Sequence, residues 1–424
     1  MPGVEVAPTV PGRAMRTGPA LGSAFWRLYA GSAVANLADG VNRVALPLLA
    51  TTLTRDPVPV AGLTSLAFLP WLLFALPAGA VVDRVDRKRA MAVANAVRAL
   101  ALGGLAATVL TGTASLVVLY VVAFSVGVAE TVYDSAARAM LPQVVRRDQL
   151  DRGNGLLTTA EEASQGFLGA PLGSLLFALA VAAPLFTTAG GFLLAGLLVL
   201  TIAGTHRPAR APGPRTSIRR DVAEGVGWLW RHRFLRGLTL VSAGTSLVQS
   251  MTTGVLVLFA LDHLDVDEAG YGLLLTAAGI GAVVGGLVAA PLARRIGRTA
   301  TLVVGAVLSA VALGAVAFTG NAVVAGVLFG VETAGVLFWN VLTMSLRQAL
   351  IPEELFGRVQ GGYRTLVWGG IPLGALLGGV LAGATTVPTV FVVAGAGLLV
   401  LSGVLWRLLV VHRGLIARAF DERP

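Results

Sequence analysis

The chain of 424 residues is 55% hydrophobic and only 13% charged, with a mean hydropathy of +0.79; soluble domains carry about 25% charged residues, so a soluble enzyme is excluded. The net charge of +10 and isoelectric point of about 11.1 would suggest nucleic acid in a soluble chain, but here the place of each arginine matters more than the sum. The absence of cysteine removes disulfides, thiol nucleophiles and Cys-zinc sites, and His206, His232, His263 and His412 stand singly without metal-ligand spacing, so neither a metal nor another cofactor is expected.

Residues 1–24 are rich in proline and glycine, lack an apolar core and read as a disordered tail, not a cleaved signal peptide. A hydrocarbon layer about 30 Å thick needs roughly 20 apolar residues per helix. Twelve such runs follow, at 25–51, 60–82, 90–110, 115–138, 154–179, 184–204, 237–261, 270–293, 299–318, 321–347, 361–384 and 387–410. They are too long and uninterrupted for barrel strands. The predicted fold class is therefore all-α integral membrane, with twelve transmembrane helices. Between the sixth and seventh runs lies a basic linker, where Ile218, Val222, Val226 and Leu229 form a stripe opposite Arg219, Arg220, Glu224 and Arg231. That pattern predicts a helix lying on the membrane surface. The expected organisation is a tail at 1–24, a six-helix bundle at 25–204, the linker at 205–236, a second bundle at 237–410 and a tail at 411–424.

Of the 32 Lys and Arg residues, Arg55 falls on one side of the spans and Arg43 and Arg98 inside them, leaving 29 on the other side. By the positive-inside rule that side is cytoplasmic and holds both termini, as expected of a multi-pass plasma-membrane protein. The halves also repeat. Pro171-Leu172-Gly173-Ser174-Leu175-Leu176 in the fifth run matches Pro372-Leu373-Gly374-Ala375-Leu376-Leu377 in the eleventh, which points to two parallel six-helix pseudo-repeats able to rock about a central site. Glycines four apart, at Gly169 and Gly173, Gly281 and Gly285, and Gly370, Gly374 and Gly378, predict close helix packing.

Ionisable groups at membrane depth are costly and face a cavity or a partner. Asp39 and Arg43 lie midway along the first run, Glu130 and Asp134 one turn apart in the fourth, Gln249 centrally in the seventh and Glu332 in the tenth. A carboxylate in an apolar cavity holds its proton more firmly and gives it up to an approaching guanidinium, which is the chemistry of an antiporter. Asp39, Arg43, Glu130, Gln249 and Glu332 are thus the candidates for proton or substrate binding. For Asp39 a second reading stands equally: a permanent ion pair with Arg43 one turn on. Arg98, Glu161 and Glu162 are read as structural residues nearer the basic ends. The only lysine, Lys88, follows Arg87, so there is no Walker A motif and the chain is not a P-loop ATPase. No clustered catalytic set is visible, and an enzyme is not expected.

After the second run stands Gly79-Ala80-Val81-Val82-Asp83-Arg84-Val85-Asp86-Arg87-Lys88-Arg89. This closely resembles the loop signature of the major facilitator superfamily, with Asp86 in place of a glycine. A decayed copy keeps Ile296-Gly297-Arg298 in the second half. Ala137 to Pro142, Glu224-Gly225 with Trp230-Arg231-His232, and Gly357-Arg358-Val359 after Pro352 extend the likeness to the branch that includes enterobactin and macrolide exporters. The resemblance implies a major facilitator fold in which the first, fourth, seventh and tenth helices line the cavity. It also implies a cytoplasmic gate made by Gly79, Asp83, Arg84, Arg87, Lys88 and Asp134, which latches the outward-facing state near Gly361 and Gly362. Without the family, the same arginines read as topology-setting charges. The implied function is proton-coupled efflux of small amphipathic compounds by a monomer in the lipid bilayer, with no nucleic-acid partner. A proton-coupled uptake symporter and a non-transporting membrane sensor or scaffold are the alternatives.

Overall fold

In lipid every backbone donor and acceptor must be satisfied within its own segment, and the apolar runs accordingly fold as helices. The computed structural model describes residues 21–82, 84–207 and 218–416. Asp83, part of the linker and most of both tails expected at 1–24 and 411–424 lie outside the described residues.

In chain order the helices are α1 (Ser23–Leu53), α2 (Pro57–Val82), α3 (Arg87–Leu110), α4 (Leu116–Val144), α5 (Leu150–Glu161), α6 (Ala170–Leu179), α7 (Ala183–Leu200), α8 (Ile218–Arg231), α9 (Arg233–Leu258), α10 (Glu268–Ile296), α11 (Arg298–Val316), α12 (Ala322–Leu350), α13 (Glu353–Ala384) and α14 (Val387–Val411). A wider π turn at Glu162–Gly169 joins α5 and α6 into one rod, and another at Phe259–His263 ends α9. The first bundle is thus α1 to α4, the α5–α6 rod and α7; the second is α9 to α14. Among the described residues ten helices are long and apolar enough to cross a membrane. The α1 helix and the α5–α6 rod complete the twelve, their apolarity diluted by Arg27, Asp39 and Arg43 and by Asp151, Arg152, Glu161 and Glu162.

Several helices outrun their apolar stretches. Thus α4 continues to Val144 and α13 starts at Glu353, because hydropathy marks only the hydrocarbon-depth part of a helix, whereas backbone bonding continues until a terminator. For α12 that terminator is Pro352, two residues past its end. Side chains start other helices: Ser115 caps α4, Asp267 caps α10 and Asn321 caps α12, each filling an orphan amide.

The duplicated hexamers occupy equivalent places. Gly173 of the fifth span packs on Val41 of α1, and Gly374 of α13 packs on Leu247 of α9. In the same way Gly281 and Gly285 of α10 meet Gly330 and Ala334 of α12, approaches that a Cβ would block. The ends holding residues 84–89, the linker and residue 411 form what we term the basic end. The bundles join away from it: Arg55 donates to Asp262 at 2.7 Å and Ser65 to the Pro372 carbonyl at 2.8 Å, while Gly379 packs on Ala61 and Pro57. Between the bundles in the chain, α8 docks on the first turns of α13, with Gly225 against the Arg358 backbone and Val226 against Gly362.

Candidate functional site

The first bundle buries a charged pair. Asp39 on α1 is 6% exposed, and its Oδ2 accepts from Arg98 Nη1 of α3 at 3.3 Å. Arg98 is fully buried, with its guanidinium 5.3 Å from the Tyr133 ring centroid and 4.8 Å from that of Phe192. Around the pair, the Tyr133 hydroxyl donates to Ser32 Oγ at 3.4 Å and Gln165 Nε2 donates to Asn36 Oδ1 at 3.0 Å. This corrects two expectations. The partner of Asp39 is Arg98 and not Arg43, and Arg98 sits at the heart of the bundle and not near its basic end. The reason is solvation. Arg43 is exposed on the wall of a cavity, whereas Arg98, walled in by aromatic rings, has a carboxylate as its compensation.

That cavity, of about 340 Å³, is lined by Asp39, Arg43, Trp71, Glu130, Gln165 and Thr253, among others. It therefore draws on both bundles. Trp71 lies with its ring centroid 4.8 Å from that of Trp368 on α13, and Arg364 caps the Trp368 ring at 4.8 Å. Asp134, one turn from Glu130, pairs with Arg138 at 3.8 Å. A smaller recess of about 100 Å³ holds Asp134 together with Ser32, Asn36 and Glu161.

In the second bundle Glu332 of α12 is held differently. Gln249 Nε2 donates to its Oε1 at 2.9 Å and Ser309 Oγ to the same oxygen at 3.3 Å, while Thr333 Oγ1 donates to Oε2 at 3.2 Å. All three donors are neutral. Beside them opens a cavity of about 310 Å³ lined by Gln249, Ser246, Ser309, Trp339, Asn340 and Tyr363. Thr253 borders both cavities, and the lining of the second comes from the second bundle alone. The arrangement gives each bundle one acid, Asp39 facing a cation and Glu332 facing hydroxyl and amide donors, each beside a cavity of hydrogen-bonding and aromatic groups.

The described residues of the loop expected to form a gate lie at the basic end. Gly79 lies near the end of α2, with open space where a Cβ would stand, and Arg84 is exposed. Arg87 Nη1 donates to the Ala139 carbonyl of α4 at 2.8 Å, and Lys88 Nζ to the Ile202 and Gly204 carbonyls after α7 at 2.9 and 3.1 Å. These cations thus serve main-chain carbonyls at helix ends, where the helix dipole favours them. Asp86 caps α3, accepting from the Arg89 amide at 3.3 Å, and its Oδ2 accepts from the His206 amide at 3.1 Å. Burial opposes its charge, but the His206, Arg89 and Lys88 amides together hold the carboxyl below its ordinary range. Burial likewise pushes the His206 imidazole down; Asp86 opposes the shift, and Lys88 and Arg87 add to it. Gly362, expected to receive the latch, packs on Val226 of α8.

Sequence reasoning missed Arg98, Ser309 and the Trp71–Trp368 contact. Arg98 carried a usable signal, since it is the sole charge in the interior of the third run; Ser309 and the tryptophans carried none, being ordinary residues of apolar helices.

The sequence model of the Major Facilitator Superfamily matches residues 28–366 and 238–422. The chain is 29% identical over 384 residues to the multidrug efflux pump Tap of Mycobacterium tuberculosis, covering 87% of this chain and 89% of the pump. It is 26% identical over 399 residues to Tap of Mycolicibacterium fortuitum, covering 91% and 94%. Among solved structures the nucleoside transporter NupG superposes with a TM-score of 0.74 at 14% identity, over 91% of this chain and 99% of NupG.

Proposed function

The chain belongs to the major facilitator superfamily, a family of membrane transporters, and from that premise we propose that it is a proton-coupled exporter of small amphipathic compounds. The observation that carries this is one acid per bundle beside a cavity: Asp39 in the wall of the first, paired with Arg98, and Glu332 held by Gln249, which lines the second. An acid that trades a proton for a cation's company, as helices shift, links proton movement to opening. Similarity to drug efflux pumps over most of the chain supports the outward direction. The positive-inside rule assigns the basic end, and with it both termini, to the cytoplasm. The bundles join away from that end, so this state is inward-facing. Rocking about the α2–α13 and α6–α10 contacts would expose the cavity to the other side, and a monomer suffices for the cycle. In the outward-facing state, the loop at Gly79, Asp83, Arg84, Arg87 and Lys88, with Asp134, would close the cytoplasmic side as a gate.

The test uses inside-out vesicles with an acidic lumen, a pH-sensitive dye and a panel of macrolides, cationic dyes and siderophores. Substrate-evoked proton release that disappears in Asp39→Asn and in Glu332→Gln supports the proposal. Release persisting in both variants moves the proton site elsewhere. Silence across the panel with correctly inserted protein, together with gradient-driven accumulation of a nutrient, selects the uptake alternative.

A further inference from the structure

Away from the central cavities, the first bundle carries a surface groove of about 930 Å³ between α2, α3 and α4. Its floor is apolar: Val81, Val85, Val93, Val97, Phe124 and Val128 line it. Val93 is 62% exposed and Val81 51%, as lipid-facing residues are. Its rim at the basic end is formed by Arg84, Arg89 and Arg207, all exposed. Among the described residues none of the three side chains enters an ion pair. The one described acid in the lining, Asp86, is already committed to the Arg89 and His206 amides.

The dimensions match a lipid. From Arg89 to Val97 the helix rises about 12 Å at 1.5 Å per residue, close to the roughly 15 Å hydrocarbon depth of one leaflet. The arginines therefore stand at headgroup level and the valines at acyl-chain depth. A second outer groove, of about 670 Å³ between α10 and α12, runs from Val266 to Ala334 and is lined by apolar residues and glycine alone. The charge at the first groove is thus particular to it and not a property of every lipid-facing cleft.

We propose that the α2–α3–α4 groove binds one anionic phospholipid, its phosphate held by Arg84, Arg89 and Arg207 and an acyl chain lying along the valines toward Phe124. Guanidinium forks suit phosphate oxygens, and basic pockets between membrane helices take anionic headgroups. Occupancy would place a lipid phosphate directly on the loop that joins α2 to α3.

The experiment is native mass spectrometry of the purified full chain offered equal amounts of phosphatidylglycerol and phosphatidylcholine with identical acyl chains. One phosphatidylglycerol is expected to be retained preferentially. Each arginine near an anionic surface is worth roughly a fivefold preference, so the triple variant Arg84→Gln, Arg89→Gln, Arg207→Gln should weaken retention about a hundredfold. The exposed residues Arg152, Arg231 and Arg413, changed together to Gln, should leave it intact. Val93→Trp, which fills the floor and keeps the rim, should also lose the lipid. If the triple variant is not monodisperse, Arg207→Gln, which lies outside any helix, carries the test with about a fivefold loss. Equal retention of the two lipids by the native chain, or undiminished retention after removal of the rim arginines, overturns the proposal. So does displacement of the lipid by millimolar inorganic phosphate, which would mark a site for the free anion.

Discussion

Replacing Arg98 by methionine tests whether the Asp39–Arg98 contact is an energetic unit. The guanidinium is 0% exposed and the carboxylate 7%, so water screens neither charge, and methionine nearly preserves the volume between Tyr133 and Phe192. Removing one member of a buried pair strands the other, at a cost of about 3–5 kcal/mol. At roughly 2–4 °C per kcal/mol, the unfolding midpoint should fall by roughly 10 °C. The assay is thermal unfolding of the purified protein in detergent, followed through the fluorescence of its seven tryptophans. Asp39→Asn strands the cation in turn and should also destabilise. The two together remove both charges, and a buried pair exchanged for neutral groups is often close to neutral, so the double variant should recover most of the loss. If instead the two losses simply add, the residues do not interact and the electrostatic account of this site fails.

Three further outcomes are expected. The chain has no native cysteine, and Ala61 Cβ of α2 lies 3.1 Å from where a Cβ on Gly254 of α9 would stand; this is near disulfide range, so Ala61→Cys with Gly254→Cys should cross-link on oxidation, block flux and regain it with reductant, whereas full flux through the cross-linked protein would show that the bundles need not part there. At the linker, Glu224→Ala removes a half-exposed ion pair to Arg358 of 2.9 Å and should cost under about 1 kcal/mol, while Gly225→Val, forced into the Arg358 backbone, should undock α8 and raise proteolysis between residues 218 and 231; equal susceptibility of the two variants would deny the docking. Asp86→Ala should cost about 1 kcal/mol through the lost cap. The folded Asp86 carboxyl titrates below its ordinary value, so its contribution is complete above the unfolded value near 4 and is lost as pH falls through the folded one; a difference between variant and native chain that persists unchanged at pH 3 would refute that origin.

The twelve spans were legible because the cost of burying an unsatisfied backbone leaves the helix as the one solution for an uninterrupted apolar run. Even the two polar spans could be read, since Asp39 and Arg43 in α1 interrupt a run whose flanks are apolar. The π turns at Glu162–Gly169 and Phe259–His263 were not legible. The first lies where Gly169 meets Gly40 of α1 backbone to backbone, a contact between distant segments with no local signature. The charged pair failed for the same reason. Spacing along one helix offered Arg43 to Asp39, and that rule holds where both side chains share a wet face. It gives way when a third helix presents a guanidinium that has no water of its own.

The two copies of the loop signature show how a duplicated element diverges under different local demands. In the second half Gly297 turns the chain at φ +85°, a conformation that a side chain resists, so glycine survives there. In the first half the matching residue, Asp86, has φ −68°, which any residue adopts, and the need for glycine is gone. The freed position instead supplies a carboxylate that caps α3 and holds the His206 amide beyond α7. Arg87 and Lys88 then bind the ends of α4 and the chain after α7, so the first-half loop fastens three spans of its own bundle together. The loop is thereby anchored to its own bundle, while Arg84 and Arg89 beside these contacts are exposed and, among the described residues, enter no ion pair.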